Sequence, residues 1–257
     1  MTALLPVSSL CPQLVGRATQ LGALGQLLER ARGGAGATAL ITGEAGIGKS
    51  RLAAEASAQA HALGFVVLGG RCFEPDRLLP YAPLADLLRN YAAGHDGTLI
   101  EQPLGAGAAA LLRIAPDLAG RLPGAERVAV LEPREEQRQR ALALLQLCIN
   151  LAAKQPLLVV IEDIHWSDEL SLDALLTLIR AAPNHALALL LTYRSEERAP
   201  ALESFLATLD RERLAHEQTL TRLSRDATAM MLQAIFDLHR PVRAEFLAAL
   251  WDTTEGN

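Results

Sequence analysis

The sequence predicts a three-layer α/β fold, with a parallel central sheet of about five strands and helices on both faces. Three observations predict it. Short, fully apolar runs such as Leu157–Ile161 (LLVVI) and Leu187–Thr192 (LALLLT) recur along the chain. Segments of helical periodicity alternate with them. Glycine-rich or charged strings stand at the carboxyl end of each run. Short strands that are apolar throughout belong to a parallel sheet buried on both faces. Right-handed crossovers then gather the strands' carboxyl ends along one edge, where ligands of such sheets bind.

Residues 1–13 read as irregular. A helix with Leu21, Leu24, Leu27 and Leu28 on one face follows, and Gly33–Gly36 breaks it. Thr38–Thr42 is a short buried strand. A helix begins near Lys49, carries Leu52, Ala56, Ala60 and Leu63, and ends at Gly64. Phe65–Leu68 is the second strand. Residues 73–133 are rich in Pro (including Pro103 and Pro123) and Gly, and read as a helical insertion with short helices at Tyr81–Tyr91 and Ala106–Ile114. A long helix is expected at Glu135–Lys154, with Leu144, Leu145, Cys148, Leu151 and Ala152 as its apolar stripe and a solvated charged first half. After the two apolar strands come helices at Ser171–Arg180 and Pro200–Arg213, a weaker strand near His216–Leu220, and helices at Arg225–Leu238 and Val242–Trp251. The expected organisation is a core over 14–220 and the start of a small helical lid over 221–257. Apolar faces around Phe236, Phe246 and Trp251 are expected to be exposed.

Composition narrows the function. Aromatics make up only 4% of the 257 residues, so Leu, Ala, Val and Ile must build the core. A net charge of −5 gives no global signature of nucleic-acid binding. Cys11, Cys72 and Cys148 are odd in number and far apart, which fits neither a metal site nor a disulfide framework. The first residues, MTALLPVSSLCP, lack a basic n-region and read as a poor signal peptide, and no run approaches the ~18–20 apolar residues of a membrane span. A soluble, cytoplasmic protein is the expectation.

The chemistry is concentrated at three strand ends. Gly43-Glu44-Ala45-Gly46-Ile47-Gly48-Lys49-Ser50 fits G-x-x-x-x-G-K-[ST] between an apolar strand and an amphipathic helix. The glycines let the backbone curl so that its N–H groups face an anion, and the helix aims the positive end of its dipole at it. Lys49 would reach the β- and γ-phosphates, and Ser50 would offer a hydroxyl to Mg²⁺. This predicts a P-loop nucleoside-triphosphatase fold. Glu162 and Asp163 follow LLVVI: one would hold Mg²⁺ and the other orient or deprotonate the attacking water, with the division left open. Asp168 is read equally as a helix cap or a site residue. His165 and Trp166 are read as packing under the loop, with partner contact as the alternative. Arg194, at the end of the neighbouring apolar run, would lie within reach of the γ-phosphate if the strands are adjacent. The bland alternative is an ion pair with Glu196 or Glu197.

On these strings the chain resembles the ATPase module of STAND-type signalling proteins, P-loop ATPases related to the AAA+ and Orc/Cdc6-like group. It is most similar to the version in large bacterial LuxR-family transcriptional regulators. The resemblance runs from about Leu14 onward. It includes Val15-Gly16-Arg17 (the entry motif beside the base), GEAGIGKS, 71–89, VVIEDIHWSDELSLDAL (159–175), TYRSEE (192–197) and LTRLSRDAT (220–228). It implies ATP and Mg²⁺ as ligands. It also implies roles for Gly16 and Arg17 near the base, and for Arg51 beside the phosphate loop. The catalytic set it implies is Lys49, Glu162, Asp163 and Arg194. Ala18 and Gln20 stand where acidic residues are common in the family.

TTEGN (253–257) resembles the first half of a motif that continues with Pro, so a fragment or truncated product is the expectation. The implied function is a slow ATPase switch of a signal-responsive regulator, binding ATP and ADP and able to self-associate through the module. DNA would be reached only through a later helix-turn-helix domain. The alternatives are a remodelling or loader ATPase, the same module coupled to a cyclase or kinase, and a scaffold that binds without hydrolysis.

Overall fold

A computed structural model of the chain describes residues 11–94, 107–121 and 132–256. Residues 1–10, Pro103, Ala106, Pro123 and Asn257, on which expectations had fallen, lie outside the described residues. Five strands form one parallel sheet: β1 (Ala37–Gly43), β2 (Val66–Arg71), β3 (Leu157–Glu162), β4 (Leu187–Arg194) and β5 (Ala215–Thr219). Their order is β2-β3-β4-β1-β5. The α/β class and the parallel five-stranded sheet are as expected.

Alternation along the strands builds two cores. Leu157, Val159, Ile161, Leu187, Leu189 and Leu191 face one side, against α3 (Ala82–Ala93), α4 (Ala108–Leu112), α5 (Pro133–Lys154), α6 (Glu169–Ala181) and α7 (Pro200–Arg211). Leu158, Val160, Ala188, Leu190, Ala39 and Ile41 face the other, against α1 (Ala18–Arg32) and α2 (Lys49–Ala62). The split follows from handedness. The β1–α2–β2 crossover travels one way across the sheet, while β3–α6–β4 and β4–α7–β5 travel the other way. Right-handed crossovers running in opposite directions must place their helices on opposite faces. β5 (AHEQT) sits at an edge and is bonded only to β1, so it needs no apolar sequence.

Several boundaries differ from expectation. β2 continues through Gly69 and Gly70 to Arg71, where Leu68 was the expected end. Glycine there serves a close approach: a Cβ on Gly70 would lie 2.3 Å from the Pro83 carbonyl oxygen at the start of α3. The stripe of α5 is rotated, so that Leu147 is buried and Leu145 only partly so. The helices after β5, α8 (Arg225–Phe236) and α9 (Ala244–Thr254), pack on each other. They leave Phe236 and Phe246 exposed, while Trp251 is half-buried beneath the Arg225 guanidinium. Among the described residues no helix is long and apolar enough to cross a membrane.

Gly70→Ala forces a methyl group against backbone that cannot rotate away. The expected result is a loss of about 1–3 kcal/mol in urea-denaturation stability.

Candidate functional site

β1 ends at Gly43 and α2 begins at Lys49, so the phosphate-loop string is the whole connection. Gly43, Gly46 and Gly48 all take positive φ (151°, 78° and 100°), which an L side chain rarely adopts. No side chain caps the first turn of α2. Its amides, with the dipole behind them, are suited to an anion. By contrast, Asp168 caps α6 by accepting the Ser171 N–H at 3.0 Å, and it also accepts the Tyr81 N–H at 3.1 Å. Asp168 is therefore a cap that ties α3 to α6.

Lys49 is buried, and its Nζ donates to the carbonyls of Gly43 (2.8 Å) and Glu44 (2.7 Å). An ammonium has three donors, so one is left for a ligand. Burial lowers its pKa, opposed by the nearby charge of Asp163. The Asp163 carboxyl is raised, chiefly by burial, against the pull of Arg71. Asp163 takes a left-handed backbone (φ 60°), and its N–H donates to Thr192 Oγ1 on β4 at 3.0 Å. The turn out of β3 is thus fixed by the neighbouring strand.

Arg71 is the residue at this site that sequence reasoning missed. The β2–β3 register places it opposite Glu162. Its guanidinium donates to Ser50 Oγ at 3.2 Å and to Glu162 Oε2 at 3.3 Å, and its Nε lies 3.5 Å from Asp163 Oδ2. One cation therefore sits among the three side chains expected to hold Mg²⁺. Among the described residues no cluster of three His, Cys, Asp or Glu side chains has metal-holding spacing. A hydroxyl and one or two carboxylates, completed by phosphate oxygens and water, is the usual Mg²⁺ environment. The available signal was a basic residue closing the FVVLGG run, which the two glycines disguised.

β4 lies between β1 and β3, and Arg194 pairs in register with Gly43. The strand adjacency that the γ-phosphate reading required is present. The Arg194 side chain itself pairs with Glu197 Oε1 at 2.5 Å and lies over the Trp166 ring at 4.7 Å. Glu196 accepts the Ala45 N–H at 2.8 Å. Its carboxyl is pushed up by burial, but the hydrogen bonds it accepts, from backbone N–H groups including that of Ala45 and from the Ser195 side chain, outweigh this and hold it below the usual range. His165 is buried, and burial pushes its pKa down to about 4, so it is a neutral ring packed 4.5 Å from Trp166.

On the other side of the loop, Arg17 is buried and its guanidinium donates to the Ile47 carbonyl at 3.2 Å. Gly16 has φ 71°, and a Cβ there would lie 2.8 Å from Leu223 Cδ2. A cavity of about 390 Å³ opens here, lined by Val15, Ile47, Leu223, Met231 and Leu250, with Arg17 and Arg51 on its wall. Arg51 is also held by Glu55 at 2.6 Å. The cavity is mostly apolar and meets the loop at Gly46–Gly48, where a base and ribose would continue from loop-bound phosphates. Arg222, before α8, pairs with Glu44 of the loop at 3.1 Å and with Glu255 at the end of α9.

A family model described as AAA ATPase domain matches residues 13–192. An uncharacterized protein of Rhizobium meliloti (strain 1021) is 30% identical over 252 residues, covering 94% of this chain and 23% of that protein. Among solved structures, the ORC2 protein of Aeropyrum pernix in ADPNP–ADP complexes has a TM-score of 0.54 at 17% identity, covering 93% of this chain and 56% of that one. The ORC1 protein of the same organism in complex with DNA has a TM-score of 0.50 at 16% identity, covering 97% and 58%. The chain thus spans about a quarter of the curated relative and just over half of the two solved structures.

Removing Arg71 leaves two carboxylates without their shared counter-ion. In Arg71→Ala, millimolar Mg²⁺ without nucleotide is expected to raise Tm by a few degrees, while the parent shows no comparable rise.

Proposed function

Because the chain belongs to the AAA ATPase domain family, we propose that it is an ATP-binding switch module with slow Mg²⁺-dependent hydrolysis. The observation that carries this reading is the placement of Arg71, which holds Ser50, Glu162 and Asp163 around one positive charge beside the uncapped start of α2. Residues that share a cation in this way fit a divalent metal bridged to phosphate.

In this reading the phosphates lie on the Gly43–Ser50 amides and the third donor of Lys49. The base enters the cavity beside Val15 and Arg17. Ser50 with Glu162, Asp163 or both would hold Mg²⁺, which would supply charge neutralisation for the phosphates. Asp163 is the better candidate to orient water: its carboxyl is raised, and it lies within electrostatic reach of Lys49. Glu162, in register with Arg71, is the better metal ligand. Arg194 answers to the γ-phosphate. A switch requires states that persist and ligands that discriminate between them, so turnover is slow.

The motif strings support reading it as the module of a signal-responsive LuxR-type regulator. ATP and ADP alternate on it, the module can self-associate, and DNA is contacted by another domain. The core over 14–220, with its insertion over 73–133, carries the nucleotide, and the helices after β5 act as its lid.

Calorimetric titration tests the site. The parent binds ATP with Mg²⁺. Lys49→Ala weakens binding at least about tenfold, or ~1.4 kcal/mol. Asp163→Asn retains binding and loses hydrolysis. Equal ATP affinity in Lys49→Ala would refute the phosphate-loop assignment, and a folded parent with no metal-dependent turnover would make the module a binding scaffold.

A further inference from the structure

A cradle for a polyanion ought not to be rimmed with carboxylates, yet Glu44, Asp163, Glu196 and Glu197 all stand at its edge. Each is held by a donor. Arg222 holds Glu44, Arg71 holds Asp163, the Ala45 amide holds Glu196, and Arg194 holds Glu197. The last two belong to one loop, which follows Arg194 at the end of β4 and leads to α7. At one end this loop grips the phosphate loop: the Ala45 N–H donates to Glu196 Oε1, and the Ser195 N–H approaches the Gly43 carbonyl at 3.4 Å. At the other end it grips the turn after β3. Glu197 divides its carboxylate, with Oε1 accepting from Arg194 at 2.5 Å and Oε2 from Trp166 Nε1 at 3.2 Å. The Arg194 guanidinium completes the triangle over the Trp166 ring, and the buried His165 backs that ring.

We propose that Glu197 is a positioning residue that parks Arg194 on Trp166, and that a γ-phosphate opens this clamp by drawing Arg194 away. The inference rests on the reading of Arg194 as the residue that answers to the γ-phosphate. Arginine binds a phosphate through two parallel hydrogen bonds, whereas Glu197 offers it one oxygen and shares its other with the indole. The arriving phosphate also repels Glu196 from the Ala45 amide, so one negative group loosens both grips of the loop. ADP lacks that group and leaves the clamp closed. This is the differential contact a nucleotide-reading switch requires. It carries the triphosphate state to Trp166, and so to the turn that leads into α6.

The test uses tryptophan emission in a Trp251→Phe background, where Trp166 is the remaining indole. A non-hydrolysable ATP analogue with Mg²⁺ shifts Trp166 emission, and ADP with Mg²⁺ does not. Glu197→Ala shows the shifted emission before any nucleotide is added. It also prefers the analogue over ADP several-fold more strongly than the parent does, because Arg194 no longer has to leave a partner. Glu197→Gln, which keeps an acceptor for the indole but no charge for Arg194, raises the same preference. If analogue and ADP move Trp166 equally, or if both Glu197 variants keep the parent's preference, the clamp is refuted while the nucleotide site stands. If Arg194→Ala leaves the preference unchanged, the premise fails and the clamp with it. If no nucleotide binds, the reading of the whole site fails.

Discussion

A parallel sheet buried on both faces cannot place charge along its strands, so charge must appear where the strands end. Val159, Val160 and Ile161 are fully buried, and the next two residues are Glu162 and Asp163. Leu189, Leu190 and Leu191 are equally buried, and Arg194 closes that strand. Arg71 closes β2 in the same way. Because all five strands run parallel, these ends meet along one edge, beside the loop that leaves β1. Desolvation then makes each charge depend on its neighbours. Lys49 and Asp163 are both pushed toward their neutral forms by burial, and each is drawn back by the other's charge. A phosphate and a metal fit such a site because they bring the charges that it half-supplies.

Strand order gives the site its division of labour. With β4 between β1 and β3, the phosphate loop and the acidic pair face each other across one strand. That strand's Thr192 fixes the Asp163 turn and its Arg194 stands in register with Gly43. The residues after β4 thereby touch both halves. The helices after β5 close the other side, where a Cβ on Gly16 would crowd the Leu223 side chain and the positive φ favours glycine. Arg222 joins phosphate-loop Glu44 to Glu255, so the loop is linked by charge to the end of α9 as well as to β4.

Much of this was legible in the chain. LLVVI and LALLLT are apolar without alternation, which only a doubly covered strand tolerates, and the phosphate-loop string names its own backbone geometry. What escaped reading depends on contacts distant in sequence. Gly69-Gly70 looked like a break, because glycine signals a turn unless another backbone approaches, and the approaching carbonyl belongs to Pro83. Arg71 was hidden behind that break, and with it the counter-ion of Ser50, Glu162 and Asp163. The phase of α5 turned on whether Leu145 or Leu147 meets the sheet, which its charged first half did not decide. Ion pairs such as Arg222–Glu44 have no local signal, since the partners are 178 residues apart. For Arg194 the sequence offered two readings, and its present partner, Glu197, is one of the two that the bland reading named.

The central claim is that one nucleotide spans the loop and the cavity, with its phosphates on Gly43–Ser50 and its base beside Val15–Arg17. Amide hydrogen exchange with and without a non-hydrolysable ATP analogue and Mg²⁺ tests it most directly. The account predicts slowed exchange in three separate stretches: the phosphate loop with the first turn of α2, residues 14–17, and residues 223–232 of the cavity wall. Unchanged exchange in the phosphate loop at saturating analogue, or protection confined to a different face of the sheet, would contradict it.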